Sequence, residues 1–267
     1  MACNHPFLIK NKNQDLVPVP CGKCLQCRID KRNEWTMRLS FELQKSKGCF
    51  VTLTYDNFNL PKDESLHKEH LQLFLKRLRK NIEPLKIKYY AVGEYGEKGN
   101  IVTGLHRPHY HLIITGLTAL KGQVVISKSW KLGFSKTLPA NTSTIRYVLK
   151  YMDKQIFDKI KLKDTYGKKL PPFATMSQGI GLEWIFKNYD TVEYFNGIPF
   201  NGKVRPVPRY YIQRLGLDNV NGMSETKKRT VLEYMKKHNC SYIIALNSLG
   251  SINENNLEKE INMYNKK

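Results

Sequence analysis

The chain has 267 residues, enough for one good core with a smaller appended unit, and its 41% hydrophobic and 25% charged residues exclude a disordered chain. Lys and Arg number 44 against 23 Asp and Glu, a formal charge of +21 that attracts nucleic acid or an anionic surface. No apolar run reaches the length of a membrane span, and the opening MACNHPFLIKNKNQDLVPVP lacks the apolar core of a signal peptide, so a cytoplasmic location without membrane contact is expected.

Six cysteines stand at positions 3, 21, 24, 27, 49 and 240, and in a cytoplasmic chain they serve as thiols or metal ligands rather than disulfides. Cys21, Cys24 and Cys27, with Cys3 or His5 as a fourth ligand, are candidates for a structural zinc site, and free thiols are the alternative. An iron–sulfur cluster fits less well, because the Cys-x3-Cys-Pro continuation of the ferredoxin run is missing. Cys49 and Cys240 are isolated and read as small core residues.

Beyond the cysteines, residues 29–46 are predicted helical, with Trp35, Leu39 and Leu43 one turn apart. CFVTLTY (49–55) reads as a strand rich in β-branched and aromatic residues. HLQLFLKRLRK follows, with Leu71, Phe74, Leu75 and Leu78 at the i, i+3, i+4, i+7 spacing of an amphipathic helix. IKYYAVG (87–93) is a second strand, and a polar loop leads to a third at 109–115. Both faces of that third strand are apolar beyond His111, with Ile113 on one and Leu112 and Ile114 on the other, so it belongs in the middle of a sheet. An irregular region containing Trp130 precedes a helix at about 143–155. After Pro171 the chain is punctuated by Pro and Gly, and helices are expected at about 224–238, with Ser224 as N-cap, and at 253–265. The order β-α-β-β-α predicts an α+β fold, an antiparallel sheet with helices packed on it. The domain division expected is 1–28, a Cys-rich segment; 29–214, the sheet domain; and 215–267, a basic helical extension.

Two local patterns carry chemistry. In RPHYHLIITG (107–116), His109 and His111 lie on one face of the strand, roughly 6–7 Å apart along it, close enough to share one ion or phosphate. Two core histidines satisfied by the backbone are the plainer alternative. In STIRYVLKYMDKQ (143–155), Ile145, Val148, Leu149 and Met152 form the core stripe. Tyr147, Tyr151 and Lys154 form a second stripe about 130° round the helix. Core packing does not need these tyrosines, which serve either chemistry or an amphipathic rim.

Three stretches occur in a telling order: FVTLTYD (50–56), RPHYH (107–111) and YVLKYMDK (147–154). They resemble motifs I, II and III of the HUH endonucleases, the tyrosine nickases that start rolling-circle replication. Together with VPCGKCLQCR, GEYG, FATMSQGIGLEW and PRYY, the pattern resembles the replication initiators of gokushoviruses, small single-stranded DNA phages of the microvirus family. The resemblance covers the chain to about residue 215. Tyr110 departs from it, standing where an aliphatic residue is more usual in the wider superfamily. It implies an HUH or RRM-like sheet and a Mg2+ or Mn2+ ion on His109 and His111. Tyr147 or Tyr151 then attacks phosphorus, giving a 5′-phosphotyrosyl bond and a free 3′-OH primer. The third, oxygen ligand should come from a neighbouring strand end: Glu94, just after the strand at 87–93, or Glu97 as fallback. Lys154 is the cation that favours phenolate or balances phosphate charge, unless it is a solvated surface lysine.

The partners implied are single-stranded and replicative-form double-stranded viral DNA at the origin, with host helicase and DNA polymerase, in the host bacterial cytoplasm. No phosphate-binding Gly-x4-Gly-Lys-[Ser/Thr] loop is present, so unwinding falls to the host. Basic stretches such as KRLRK (76–80) and the Lys pairs near 168 and 236 add affinity for DNA by counterion release. The main rival is a non-catalytic, RRM-like single-stranded nucleic-acid-binding domain, which has no use for two histidines on one strand. A His-x-His hydrolase is a third class, but only His238 follows His111.

Overall fold

The computed structural model describes residues 3, 5–10, 14, 16–96, 107–151, 165–215, 225–241, 244–245, 247–252 and 255–256. The chain divides into two compact units, Trp35–Lys187 and Met1–Glu34 with Asn188–Lys267. In chain order the elements begin with β1 (Phe7–Lys10), β2 (Leu16–Val19), α1 (Leu25–Lys45), β3 (Gly48–Tyr55) and α2 (Lys68–Asn81). They continue with β4 (Lys88–Tyr95), β5 (Pro108–Thr115), α3 (Ala119–Ser129), β6 (Gly133–Pro139) and α4 (Thr142–Lys150). The rest are β7 (Phe173–Met176), α5 (Leu182–Lys187), α6 (Tyr189–Tyr194), β8 (Ile198–Phe200), β9 (Lys203–Arg205), α7 (Arg209–Leu215) and α8 (Glu225–His238).

The fold is α+β, built on a five-stranded antiparallel sheet in the order β6-β3-β5-β4-β7. The histidine strand β5 is central, as its two apolar faces demand. Alternation gives each face its own core. On one, Leu53, Tyr55, Tyr110, Leu112 and Ile114 pack under α2 and α3, with Phe74, Leu78, Ile126 and Trp130 filling the layer. On the other, Phe50, Tyr90, Val92 and Ile113 meet Trp35 and Leu39 of α1 and Ile145, Val148 and Leu149 of α4. The period-3.6 stripes of α2 and α4 are what bury these residues, and burying a large apolar side chain is worth about 1.5–3 kcal/mol.

Helix α4 starts where its sequence says it should. The Asn141 side chain accepts from the Thr144 N–H at 2.9 Å, and the Thr144 hydroxyl accepts from the Asn141 N–H at 2.8 Å, a reciprocal cap. Strand β6 starts at Gly133, whose φ of +147° and contacts exclude a side chain: a Cβ there would lie 2.3 Å from the Asp56 nitrogen.

Several boundaries differ from expectation. The helix expected at 29–46 begins four residues earlier, at Leu25. The region around Trp130, expected to be irregular, contains α3 and β6. Their signals are weak because ALKGQVVISKS carries a glycine and β-branched residues, while GFSKTLP is a short, polar edge strand ending in proline. The hairpin β1–β2 is a further addition, hard to read from sequence because its strands have only four residues each. Beyond Pro171 the chain forms β7, three short helices and the hairpin β8–β9. The helix expected at 224–238 is α8; Ser224 lies outside the described residues, as does most of 253–265.

Candidate metal centre and tyrosine pair

Cross-strand register assembles the site. Glu94 of β4 is paired directly with His109 of β5, and on the other side of β5 Thr52 of β3 is paired with His111. Glu94 is therefore the seventh residue of its strand and not, as its sequence context led one to expect, a loop residue after it. Residues paired across an antiparallel sheet share a face, so Thr52, His111, His109 and Glu94 form one polar row on the face covered by α4. His111 and Glu94 are each only 4% exposed.

The three ligand types converge. His109 Nε2 lies 2.7 Å and His111 Nε2 3.2 Å from the same Glu94 oxygen, and the three ligand atoms lie within 4.8 Å of one another. The far nitrogen of each ring is held from behind. His109 Nδ1 lies 3.0 Å from the Arg107 carbonyl and His111 Nδ1 3.0 Å from the Thr52 hydroxyl. A carbonyl only accepts, so His109 Nδ1 carries the proton and Nε2 presents its lone pair to the site unless the ring is charged. Two imidazole lone pairs and a carboxylate oxygen repel one another unless protons or a cation lie between them. The donor set thus fits one divalent ion, with few protein ligands and positions left for substrate oxygens. The outer contacts of Thr52 and the Arg107 carbonyl orient the rings as ligand-holding groups do.

Electrostatics agree with this geometry. Burial alone would raise the Glu94 carboxyl, but hydrogen bonds from His109, His111 and Tyr151 overcome it and pull its pKa down to about 2. Burial lowers the pKa of His111, with His109 adding to the effect against the Glu94 hydrogen bond, so the ring is neutral as a ligand must be.

Helix α4 lays its tyrosines on this row. Tyr151, at the helix C-terminus, stacks on the His111 ring with centroids 5.4 Å apart and planes at 12°. Tyr147 meets the same ring edge-on at 5.2 Å and leans on Phe50 at 5.7 Å. Their hydroxyl oxygens are 3.0 Å apart. Tyr147 is 46% exposed, so a large substrate can reach it. Burial, then hydrogen bonds with Tyr147 and Glu94, raise the Tyr151 phenol pKa, so its phenolate needs a nearby positive charge.

Of the residues singled out from sequence, the structure brings together Glu94, His109, His111, Tyr147 and Tyr151. Lys154, Glu97, Met152 and His106 lie outside the described residues. Cys3, Cys21, Cys24 and Cys27 also converge, whereas His5 is not in that group. Sequence reasoning misses Thr52 and Phe50 as contributors, although the even spacing of Phe50, Thr52 and Thr54 in FVTLTYD already places them on one face. His67 and His70, given no role from sequence, belong to a buried hydroxyl chain on the opposite face. Tyr110 donates to the His67 carbonyl at 2.9 Å and accepts from the His67 N–H at 2.9 Å. Tyr55 links the Tyr110 hydroxyl at 2.7 Å to His70 Nδ1 at 2.9 Å. That chain accounts for a tyrosine where an aliphatic residue is usual.

Fold and site together define an α+β protein with a His–Glu ion site flanked by paired tyrosines, and comparison with known proteins places it in a family. Residues 48–156, from β3 through both tyrosines, match the family model of replication-associated protein ORF2. The replication-associated protein ORF2 of Spiroplasma virus 4 is 31% identical over 225 residues, 74% of this chain and 67% of the relative. Replication-associated protein VP4 of Bdellovibrio phage phiMH2K is 30% identical over 221 residues, covering 72% of this chain and 65% of the relative. Replication-associated protein ORF4 of Chlamydia phage 1 is 26% identical over 216 residues, covering 73% and 52%. No solved structure gives a significant match. The chain belongs to the replication-associated proteins of gokushovirus-type phages, and its role lies in phage replication. No helix among the described residues is long and apolar enough to cross a membrane.

Proposed function

We propose that the chain is a metal-dependent, site-specific single-stranded DNA endonuclease and ligase that nicks the phage origin to start rolling-circle replication. The observation that carries the reading is the convergence of Glu94, His109 and His111 beneath two tyrosines stacked on His111. Glu94, His109 and His111 hold the ion, Mg2+ or Mn2+. Bound there, it supplies Lewis-acid polarisation of a phosphodiester and the positive charge that the Tyr151 phenol lacks. The imidazoles stay neutral and oriented because Thr52 and the Arg107 carbonyl hold their far nitrogens.

The phenol oxygen of Tyr147 or Tyr151 attacks phosphorus and the bond to the 3′ oxygen breaks. The phenol proton ends on that oxygen, leaving a 3′-OH primer and a 5′-phosphotyrosine. A second phenol 3.0 Å away allows the regenerated origin to be cut while the first end is released by ligation, with no hydrolytic step. In this reading Lys154 supports the phenolate, the substrates are single-stranded and replicative-form origin DNA, and unwinding and synthesis fall to host helicase and polymerase in the bacterial cytoplasm. The test is incubation with single-stranded origin DNA with and without Mn2+. The expected products are a 3′-OH fragment and a protein-blocked 5′ fragment, seen only with the ion and absent in the His109→Ala/His111→Ala variant, which still binds DNA. Normal nicking by that variant would contradict the ligand assignment.

A further inference from the structure

The segment that precedes the sheet unit has too little core to hold itself. All four residues of β1 are exposed, and β2 contributes only half-buried residues, so the β1–β2 hairpin has no buried face to pack. Two strands alone are marginal in water. What the segment has instead is four cysteines in one place. Cys3 Sγ lies 3.9 Å from Cys24 Sγ, Cys21 Sγ lies 4.0 Å from Cys27 Sγ, and all four sulfurs are within 4.8 Å of one another. None is in a disulfide, whose sulfurs would be about 2.05 Å apart. A single ion bonded at about 2.3 Å to four tetrahedral thiolates separates them by about 3.8 Å, close to the spacing found.

Backbone geometry makes the same point independently. Cys21-Gly22-Lys23-Cys24 folds into a tight turn in which the N–H groups of Lys23 and Cys24 both donate to Cys21 Sγ, at 3.4 and 3.3 Å. The turn needs the left-handed Gly22, φ +73°. The Cys21 N–H donates in turn to Cys3 Sγ at 3.2 Å. Amide donors aimed at sulfur favour thiolate over thiol. Cys24 immediately precedes α1 and Cys27 lies in its first turn, where the positive end of a 21-residue helix favours negative charge. Lys23 and Arg28 border the same open cleft as Cys21 and Cys24, offsetting the charge of four thiolates around a divalent ion.

We infer that Cys3, Cys21, Cys24 and Cys27 form a closed structural zinc site that fastens the β1–β2 hairpin to the start of α1. Four sulfur ligands leave no open position, so the ion does no chemistry. An iron–sulfur cluster would spread its thiolates further, because inorganic sulfides lie between its irons, and a lone iron would call for an electron-transfer role that the fold does not supply. The site lies outside the matched region 48–156 and does not depend on the nickase reading.

The test uses the full chain purified under reducing, chelator-free conditions. Elemental analysis should find one zinc per chain, released by a mercurial in step with exposure of four thiols. Cys49→Ser and Cys240→Ser should keep the zinc, and Cys21→Ser and Cys24→Ser should lose it. Because those two variants could simply misfold, amide exchange is also measured on the unaltered chain before and after chelation: protection should vanish across 3–28 and persist across 48–55 and 108–115. No zinc with four thiols that alkylate freely, iron in place of zinc, or unchanged protection of 3–28 after zinc removal would each overturn the inference.

Discussion

At the scale of single residues, Glu94 ties the site together: one carboxylate oxygen is the common partner of two imidazoles. Glu94→Gln keeps the shape but removes the charge and offers an amide whose nitrogen cannot bind an ion. Manganese affinity, measured by isothermal titration, should fall on the order of 10–100-fold or more, while the affinity for single-stranded DNA stays within about twofold. Unchanged manganese binding would remove Glu94 from the ligand set. The sign of the pH effect follows from the same residue. With the Glu94 pKa near 2, the carboxylate stays ionised through mild acid, so ion release between about pH 7 and 5 reports protonation of the histidines. Tyr110 supplies a prediction of the opposite kind. Tyr110→Phe leaves the His67 N–H and C=O without their hydroxyl partner in a buried place, at a cost of about 1–3 kcal/mol in urea denaturation. Its metal affinity should be unaltered, because the chain from His67 to His70 lies on the other face of the sheet.

At the scale of elements, β5 and α4 place the chemistry, and the edge strand β6 extends it. Phe134, Lys136 and Leu138 are paired with Thr54, Thr52 and Phe50, so they share the face that carries the histidines. Phe134 is 70% exposed. An exposed ring beside the ion site is a platform for an unpaired base, and such stacking is worth about 1–3 kcal/mol per base. Phe134→Ala should weaken binding of single-stranded origin DNA by about 5–100-fold in fluorescence anisotropy, with metal affinity unchanged. Equal DNA affinity would show that the strand passes elsewhere.

The elements also differ in how far they are legible in the sequence. The helix α2 and the strand β5 are legible, because a wide apolar stripe and a two-faced apolar strand are local signals. So are the tyrosines, because they stand off the core stripe of α4. Strand β6 is not: an edge strand is half-solvated, and its polar residues carry no alternation to read. Glu94 is recognisable as a ligand yet reads as a loop residue, because strand ends are fixed by pairing with a neighbour distant in sequence. Thr52 escapes notice for the same reason, since only register reveals that it stands beside His111.

At the scale of the whole molecule, the charge of +21 acts as a field rather than through any one residue. Binding to single strands should weaken steeply with salt. For about five neutralised phosphates the affinity falls on the order of 100-fold between 50 and 200 mM salt, whatever the DNA sequence. A flat salt profile would contradict a backbone-dominated interface. Binding and cutting are thereby separable: the field gathers DNA, and the ion site and tyrosines act on one phosphate. The central claim is that those tyrosines are the nucleophiles, and mass spectrometry of the trapped protein–DNA adduct tests it most directly. Origin DNA cleaved with Mn2+ should leave a nucleotide bound through its 5′ phosphate to Tyr147 or Tyr151, with each single Phe variant shifting the adduct to the other and the double variant forming none. An adduct on any other residue, or a free 5′ phosphate with no adduct at all, would contradict it.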